Sequence, residues 1–342
     1  MDTPFSPSFL SRRSLLAAAG TSLAAPAMLA GLPGALAAPA PAGPGRPGID
    51  FADPVQNLRA FMRLTADVDP SKETTGWFGG HIFAVIDDKP LQMLCGVEGF
   101  GVMRVAPQKD GTYRVFNREL AFYKDPKTDE FVDEWTNPLT SEKCQVSPIH
   151  NRIVNATVAP VVRQDFDGHM VERPFNPPWT FVEGQAFQVF ELHAAFPNPM
   201  KVADWPRESS GPVTRVSEIF QRTCRVADLD DPKLTSVPST GTWTRVGPWL
   251  PWMLMGQAPG HILYRTFINK LGAAEKLPPK LYARAKERFP EFLRAPGDDT
   301  WGQPNDSSFT VYMQERKPAP PRVPAAQPTP PVSATPAQRP AG

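Results

Sequence analysis

"TTGWFGGHIFAVIDDKPLQMLCGVEGFGVMRV", residues 74–105, decides the fold class. Both halves are rich in β-branched and aromatic residues, which fit the pleated, half-buried surface of a strand. Asp87-Asp88 between them is a turn signal. The glycines in "GGHIF" and "GVEGFG" lie inside strand-like runs. There they mark bulges or close approach of another backbone, not a phosphate loop.

The same composition recurs outward from this stretch. "TYRVFNRELAFY" (112–123), "RIVNATVAPVVRQDF" (152–166), "TFVEGQAFQVFELHAAF" (180–196) and "VTRVSEIFQRTCRVADL" (213–229) read as strands. So do "TGTWTRVG" (240–247), "HILYRTFIN" (261–269) and "FTVYMQE" (309–315). Lys109-Asp110-Gly111, Asp125-Pro126-Lys127 and Asp167-Gly168 punctuate them as turns. Two helices stand apart. "DPVQNLRAFMRL" has Asp53 as cap, Pro54 at the first helical position, and Val55, Leu58 and Phe61 on one face. "PPKLYARAKERFPEF" has Leu281, Ala285 and Phe289 in register. Strand and helix do not alternate, which excludes a doubly wound parallel fold. The expectation is a mainly β protein: a large antiparallel sheet curled into a barrel or closed sandwich, with a short N-terminal helix and one C-terminal helix.

The ends of the chain read differently. "SFLSRRSLLAAAG" carries Arg12 and Arg13 ahead of an alanine-rich run that leads to Ala35-Leu36-Ala37. It resembles a twin-arginine export signal. Residues 1–37 are therefore read as a signal peptide handled by the twin-arginine machinery. The protein is then periplasmic or secreted, with no stable membrane span after cleavage. Residues 38–48 are a Pro/Gly/Ala linker, 49–316 one β-rich domain, and 317–342 a Pro/Ala-rich tail with too little apolar surface to order itself.

The net charge of +1 comes without a basic stripe, so nucleic-acid binding is not expected. Cys95, Cys144 and Cys224 show no CxxC spacing; one disulfide or three buried thiols both remain open. The five histidines show no paired spacing, so neither metal nor cofactor is expected.

The stretch "CRVADLDDPKLTSVPSTGTWTRVGPWLPWMLMGQAPGHILYR" (224–265) carries a family resemblance. Its features are Ala227-Asp228-Leu229, Asp231-Pro232, Val237-Pro238, and Pro251-Trp252-Met253 with Met255-Gly256 ahead of Pro259-Gly260-His261. Together with "FMRLTADVD", "WTNPLTSE" and "LYARAKERFPEFLRAP", it is similar to the bacterial family known as domain of unknown function 1838. The resemblance implies grouping and an export habit; it brings no catalytic residues.

Candidate site residues follow from strand periodicity. In "FVEGQAFQVFELHAAF", Val182, Ala186, Phe190, Leu192, Ala194 and Phe196 share the core face, with Gln188 the exception. Glu183, Glu191 and His193 lie on the other, which is either a cavity wall or a solvated surface. In "VTRVSEIFQRTCRV", Glu218 and Arg222 point the same way, roughly 13 Å apart along the strand. If that face is internal, each must find a partner across strands, as a structural ion pair or as a polar anchor in an apolar pocket. His81 and His261 are candidate bases, and His150 could organise a loop. "PWLPWMLMGQAPGH" (248–261) offers Trp249, Trp252, Met253 and Met255, either as a pocket wall for a small apolar molecule or as a plug closing the core. Three functions are open. The first is binding of a small, largely apolar ligand. The second is a cofactor-independent lyase, isomerase or hydrolase using His/carboxylate chemistry. The third is a structural or interaction role in the envelope.

Overall fold

The computed structural model describes residues 48–166 and 169–322. The proposed signal peptide and nearly all of the linker lie outside them, as do residues 323–342 of the tail. Helix α1 (Pro54–Thr65) precedes three long strands: β1 (Glu73–Val85), β2 (Gln92–Pro107) and β3 (Tyr113–Lys124). Short strands follow: β4 (Glu134–Thr136), β5 (Lys143–Gln145), β6 (Ile149–Asn151), β7 (Ala156–Val158), β8 (Val161–Phe166), β9 (His169–Pro174) and β10 (Trp179–Val182). Then come β11 (Gln185–Pro197), β12 (Val213–Arg225), α2 (Val226–Asp230), β13 (Thr240–Gly247), β14 (His261–Lys270), α3 (Pro279–Arg288) and α4 (Ser308–Glu315).

One antiparallel ten-stranded sheet runs β10-β11-β12-β13-β14-β1-β2-β3, with β6 and β7 both on the far side of β3. The mainly β, large antiparallel sheet expected from sequence is present. Its hydrogen-bonded order is open, however: β10 pairs with neither β6 nor β7, so the sheet is not closed into a barrel. The edges are too slight to close one, since β10 has four residues and β6 and β7 three each. The interior is instead filled by other elements. Leu58, Phe61 and Met62 of α1 pack on Met103, Val105, Tyr113 and Val115 of β2 and β3. Ala60 and Leu64, on the helix's other flank, pack on Ala186 and Cys224 of β11 and β12. Helix α1 thus touches both halves of the sheet, which wraps around it. Its expected cap is present, with Asp53 accepting from Val55 N at 2.9 Å. Val55 itself is exposed.

Three local expectations are corrected. "FTVYMQE" is helix α4 rather than a strand, because Ser307 and Thr310 form a reciprocal capping box ahead of it. The run 180–196 breaks at Glu183-Gly184, where φ of 48° and 75° forms a hairpin turn between β10 and β11. Val182 therefore leaves the core face and is 52 % exposed. The run 152–166 divides at Pro160 into β7 and β8.

Helix α3 covers the outer face of β2 and β3, where Leu277, Leu281, Ala285 and Phe292 meet Phe100, Val102, Leu120 and Phe122. All three cysteines are free and buried. No helix among the described residues is long and apolar enough to cross a membrane.

Candidate functional site

Alternation along each long strand sends one set of side chains into the wrapped interior. Strand β12 alternates without a break, burying Thr214, Val216, Glu218, Phe220, Arg222 and Cys224. Register carries this face across the sheet. Phe190, Phe220, Trp243, Thr266, Gly80, Val97 and Tyr123 are successive partners from β11 to β3. Phe220 stacks on Trp243 at 6.1 Å between ring centroids, and Phe78 meets Trp243 edge-on at 5.2 Å. This aromatic floor separates two polar rows.

On one side, Glu218, Arg245 and Tyr264 are successive register partners on β12, β13 and β14. Glu218 is fully buried and accepts from Arg245 Nε at 3.0 Å. Burial pushes its carboxyl up to about 7 despite Arg245, because the ionised form loses its hydration there. Trp243 Nε1 approaches Glu218, and the Tyr123 hydroxyl approaches Tyr264 and Trp252. None of these approaches reaches hydrogen-bond geometry. Glu218 Oε2, Trp243 Nε1, Trp252 Nε1 and Tyr264 OH are buried without partners.

On the other side, Gln188 and Arg222 are register partners, followed by Gly241, Ile268 and Phe78. Gln188 is 1 % exposed, and both its amide nitrogen and its amide oxygen lack partners. Arg222 is 8 % exposed, and no hydrogen bond, ion pair or ring contact reaches it from a described residue. Burial lowers its guanidinium to about 10. One pleat further along β14, Lys270 donates to the carbonyls of Arg63 and Ala66 at 2.7 and 3.2 Å. Burial, with Arg222 nearby, lowers its ammonium to about 7.

The candidate residues are thus partly gathered. Glu218 and Arg222 share the interior, and Glu218 finds its cation across strands in Arg245. The histidines do not join them. His81 is exposed on the outer face, and His193 lies there too, at 3.0 Å from Ser217 and 3.2 Å from Glu191. His261 opens β14 opposite Val85. His150 is buried between Pro148 O at 3.1 Å and Glu315 at 2.8 Å, linking β6 to α4.

Trp249, Trp252, Met253 and Met255 are all buried in the main core. Trp252 lies 4.8 Å from the Tyr123 ring and 5.3 Å from Trp135. Asn137 donates to Met253 O at 3.0 Å and to Met255 Sδ at 3.2 Å. The segment caps the Glu218 end of the interior, as α1 caps the Lys270 end. Beyond it lies a surface cleft of about 540 Å³, lined by Leu139, Thr140, Glu142, Arg207, Pro321 and Arg322. Its charges satisfy each other, since Glu142 pairs with both Arg207 and Arg322.

Arg245, Tyr264 and Lys270 were not singled out in the sequence. The alternation in "TGTWTRVG" and "HILYRTFIN" places Trp243 with Arg245, and Tyr264 with Lys270. Which of the two faces turns inward is set only when β12 to β14 assemble.

The profile of a family described as "Protein of unknown function (DUF1838)" matches residues 71–316. No curated protein matches the chain.

Proposed function

Because the chain belongs to the DUF1838 family, whose description names no activity, we propose a function from the side chains alone: it binds a small, largely apolar molecule inside the wrapped sheet. One observation supports this above the others. The inner face holds a belt of buried polar atoms between aromatic rings that make no hydrogen bond: both amide atoms of Gln188, Glu218 Oε2 and Trp243 Nε1, which face each other, and Tyr264 OH, which faces Tyr123. An unpaired buried polar atom costs about 1–3 kcal/mol. Several together are an expensive way to build a core and an economical way to orient a guest. We further propose export by the twin-arginine route, which carries folded proteins and so permits a guest to be loaded first.

A second reading is favoured by Glu218. A buried carboxyl held near neutrality beside Arg245 is suited to exchanging a proton with a bound molecule. In a cofactor-independent lyase, isomerase or hydrolase, Glu218 would be the acid–base group, and the surface histidines would take no part. Native mass spectrometry of the protein purified from its own host tests the binding reading. A retained small molecule is expected, and a bare chain under gentle ionisation would count against it. Recovery of a different molecule from Glu218→Gln than from the parent would favour the enzyme.

A further inference from the structure

We propose that Arg222, Gln188 and Lys270 form a buried anion subsite that takes the carboxylate of a small, otherwise apolar molecule; this rests on the ligand-binding reading above. The sign of the charge follows from what the interior lacks. Glu218, on the far side of Phe220, is engaged by Arg245. Glu119 accepts from the amides of Asn117 and Asn151, both at 3.0 Å. Asp67 draws on Lys270, but its carboxylate already accepts from Asp69 N and faces Lys72. No carboxylate of a described residue reaches Arg222. An arginine more than nine-tenths buried with no anion beside it is costly as a purely structural arrangement.

The geometry around it selects a carboxylate. Arginine's planar fork binds two oxygens at once. Gln188, its register partner, has an N–H free to donate to the same group. An anion held at Arg222 would also favour the charged form of Lys270 on the neighbouring pleat, which burial and Arg222 disfavour. Gly241 lets β13 approach the β12 backbone closely beside Arg222, where a Cβ would stand 1.8 Å from Gln221 O, and Ile268 and Phe78 continue the row as apolar wall. The head group is therefore held at the α1 end, and the apolar body lies along Phe220 and Trp243.

The test uses the folded, signal-cleaved chain, titrated by calorimetry with decanoate and 1-naphthoate and with their neutral amides. At least one acid is expected to bind about tenfold or more tightly than its amide, the scale of one charge-assisted hydrogen bond. Arg222→Met is expected to erase that preference and to raise the melting temperature, because it removes an unpaired buried charge. Equal binding of acid and amide by the parent would overturn the anion subsite and leave the ligand reading standing. Binding of neither would overturn both. Equal protection by inorganic phosphate alone would overturn the apolar body of the guest. The parent comparison needs no variant, and Gln188→Leu supplies an independent one, with a smaller loss of acid preference expected.

Discussion

Glu218 and Lys270 meet burial in opposite ways, and a titration of stability reads this directly. The folded-state pKa of Glu218, about 7, lies above its ordinary 4.5. The stability it preserves is complete below pH 4.5 and is lost as pH rises through 7, about 3 kcal/mol in all. Lys270 is shifted down, from 10.5 to about 7. Its penalty is complete below pH 7 and is relieved as pH rises towards 10.5. The two windows meet, so urea midpoints measured from pH 4.5 to 10 should dip near neutrality. Lys270→Met should flatten the alkaline limb of that dip. At the plug, Trp252 is 3 % exposed between Tyr123 and Trp135. Trp252→Ala should cost about 3–5 kcal/mol by chemical denaturation, as for a packed core ring; a cost near 1 kcal/mol would mean that the ring borders empty space. Residues were legible where alternation is strict: Glu218 and Arg222 were placed on one face from "VTRVSEIFQRTCRV", and Gln188 stood out as polar on an apolar face. Which face His81 and His261 occupy was not legible, because a residue's titration range says nothing about the side of the sheet it lies on.

Elements were legible wherever period and punctuation agree. The long strands, α1 and α3 have both. Helix α4 was hidden because seven residues of "FTVYMQE" satisfy strand composition, and its capping box uses Thr310 where the sequence signature uses Glu or Gln. Helix α2 is a single turn held from outside, so its own sequence carries little signal. Its fastening is the buried guanidinium of Arg63 in α1, which donates to Leu229 O at 2.9 Å, Leu234 O at 2.6 Å and Asp231 O. Arg63→Met should leave these carbonyls unpaired and lower stability by about 3 kcal/mol. Amide exchange over residues 226–237 should rise more than exchange in β1 to β3. At the centre of the sheet, a Cβ on Gly80 would stand 2.2 Å from Arg265 O. Gly80→Ala should therefore push β1 off β14 and cost about 3 kcal/mol or more, read as a lowered denaturant midpoint.

At the scale of the whole molecule, composition read residues 317–342 as one unordered tail, and its first residues depart from that reading. Residues 317–322 run back over the domain: Ala319 N donates to Glu208 at 2.6 Å, Arg207 to Pro320 O at 3.0 Å, and Arg322 to Leu254 O at 3.1 Å. Truncation after Arg322 should leave the melting temperature unchanged, and truncation after Arg316 should lower it by about 2 °C or more. Replacing Arg12 and Arg13 with lysine should hold the precursor in the cytoplasm on fractionation; normal export would reject the twin-arginine reading. The sheet order has one more consequence, for assembly. Strands β1 to β3 and strands β10 to β14 are each consecutive meanders, able to form from local contacts. They join only at β1–β14, in the middle of the sheet, between segments far apart in sequence. Until residues 261–270 have left the ribosome, β1 is a bare edge of thirteen residues. Such late, non-local zippering is slow and exposes the growing chain to association. The nascent protein therefore calls for chaperone cover until its last strand arrives; under the proposed twin-arginine export, passage across a membrane would begin only after that seam has closed.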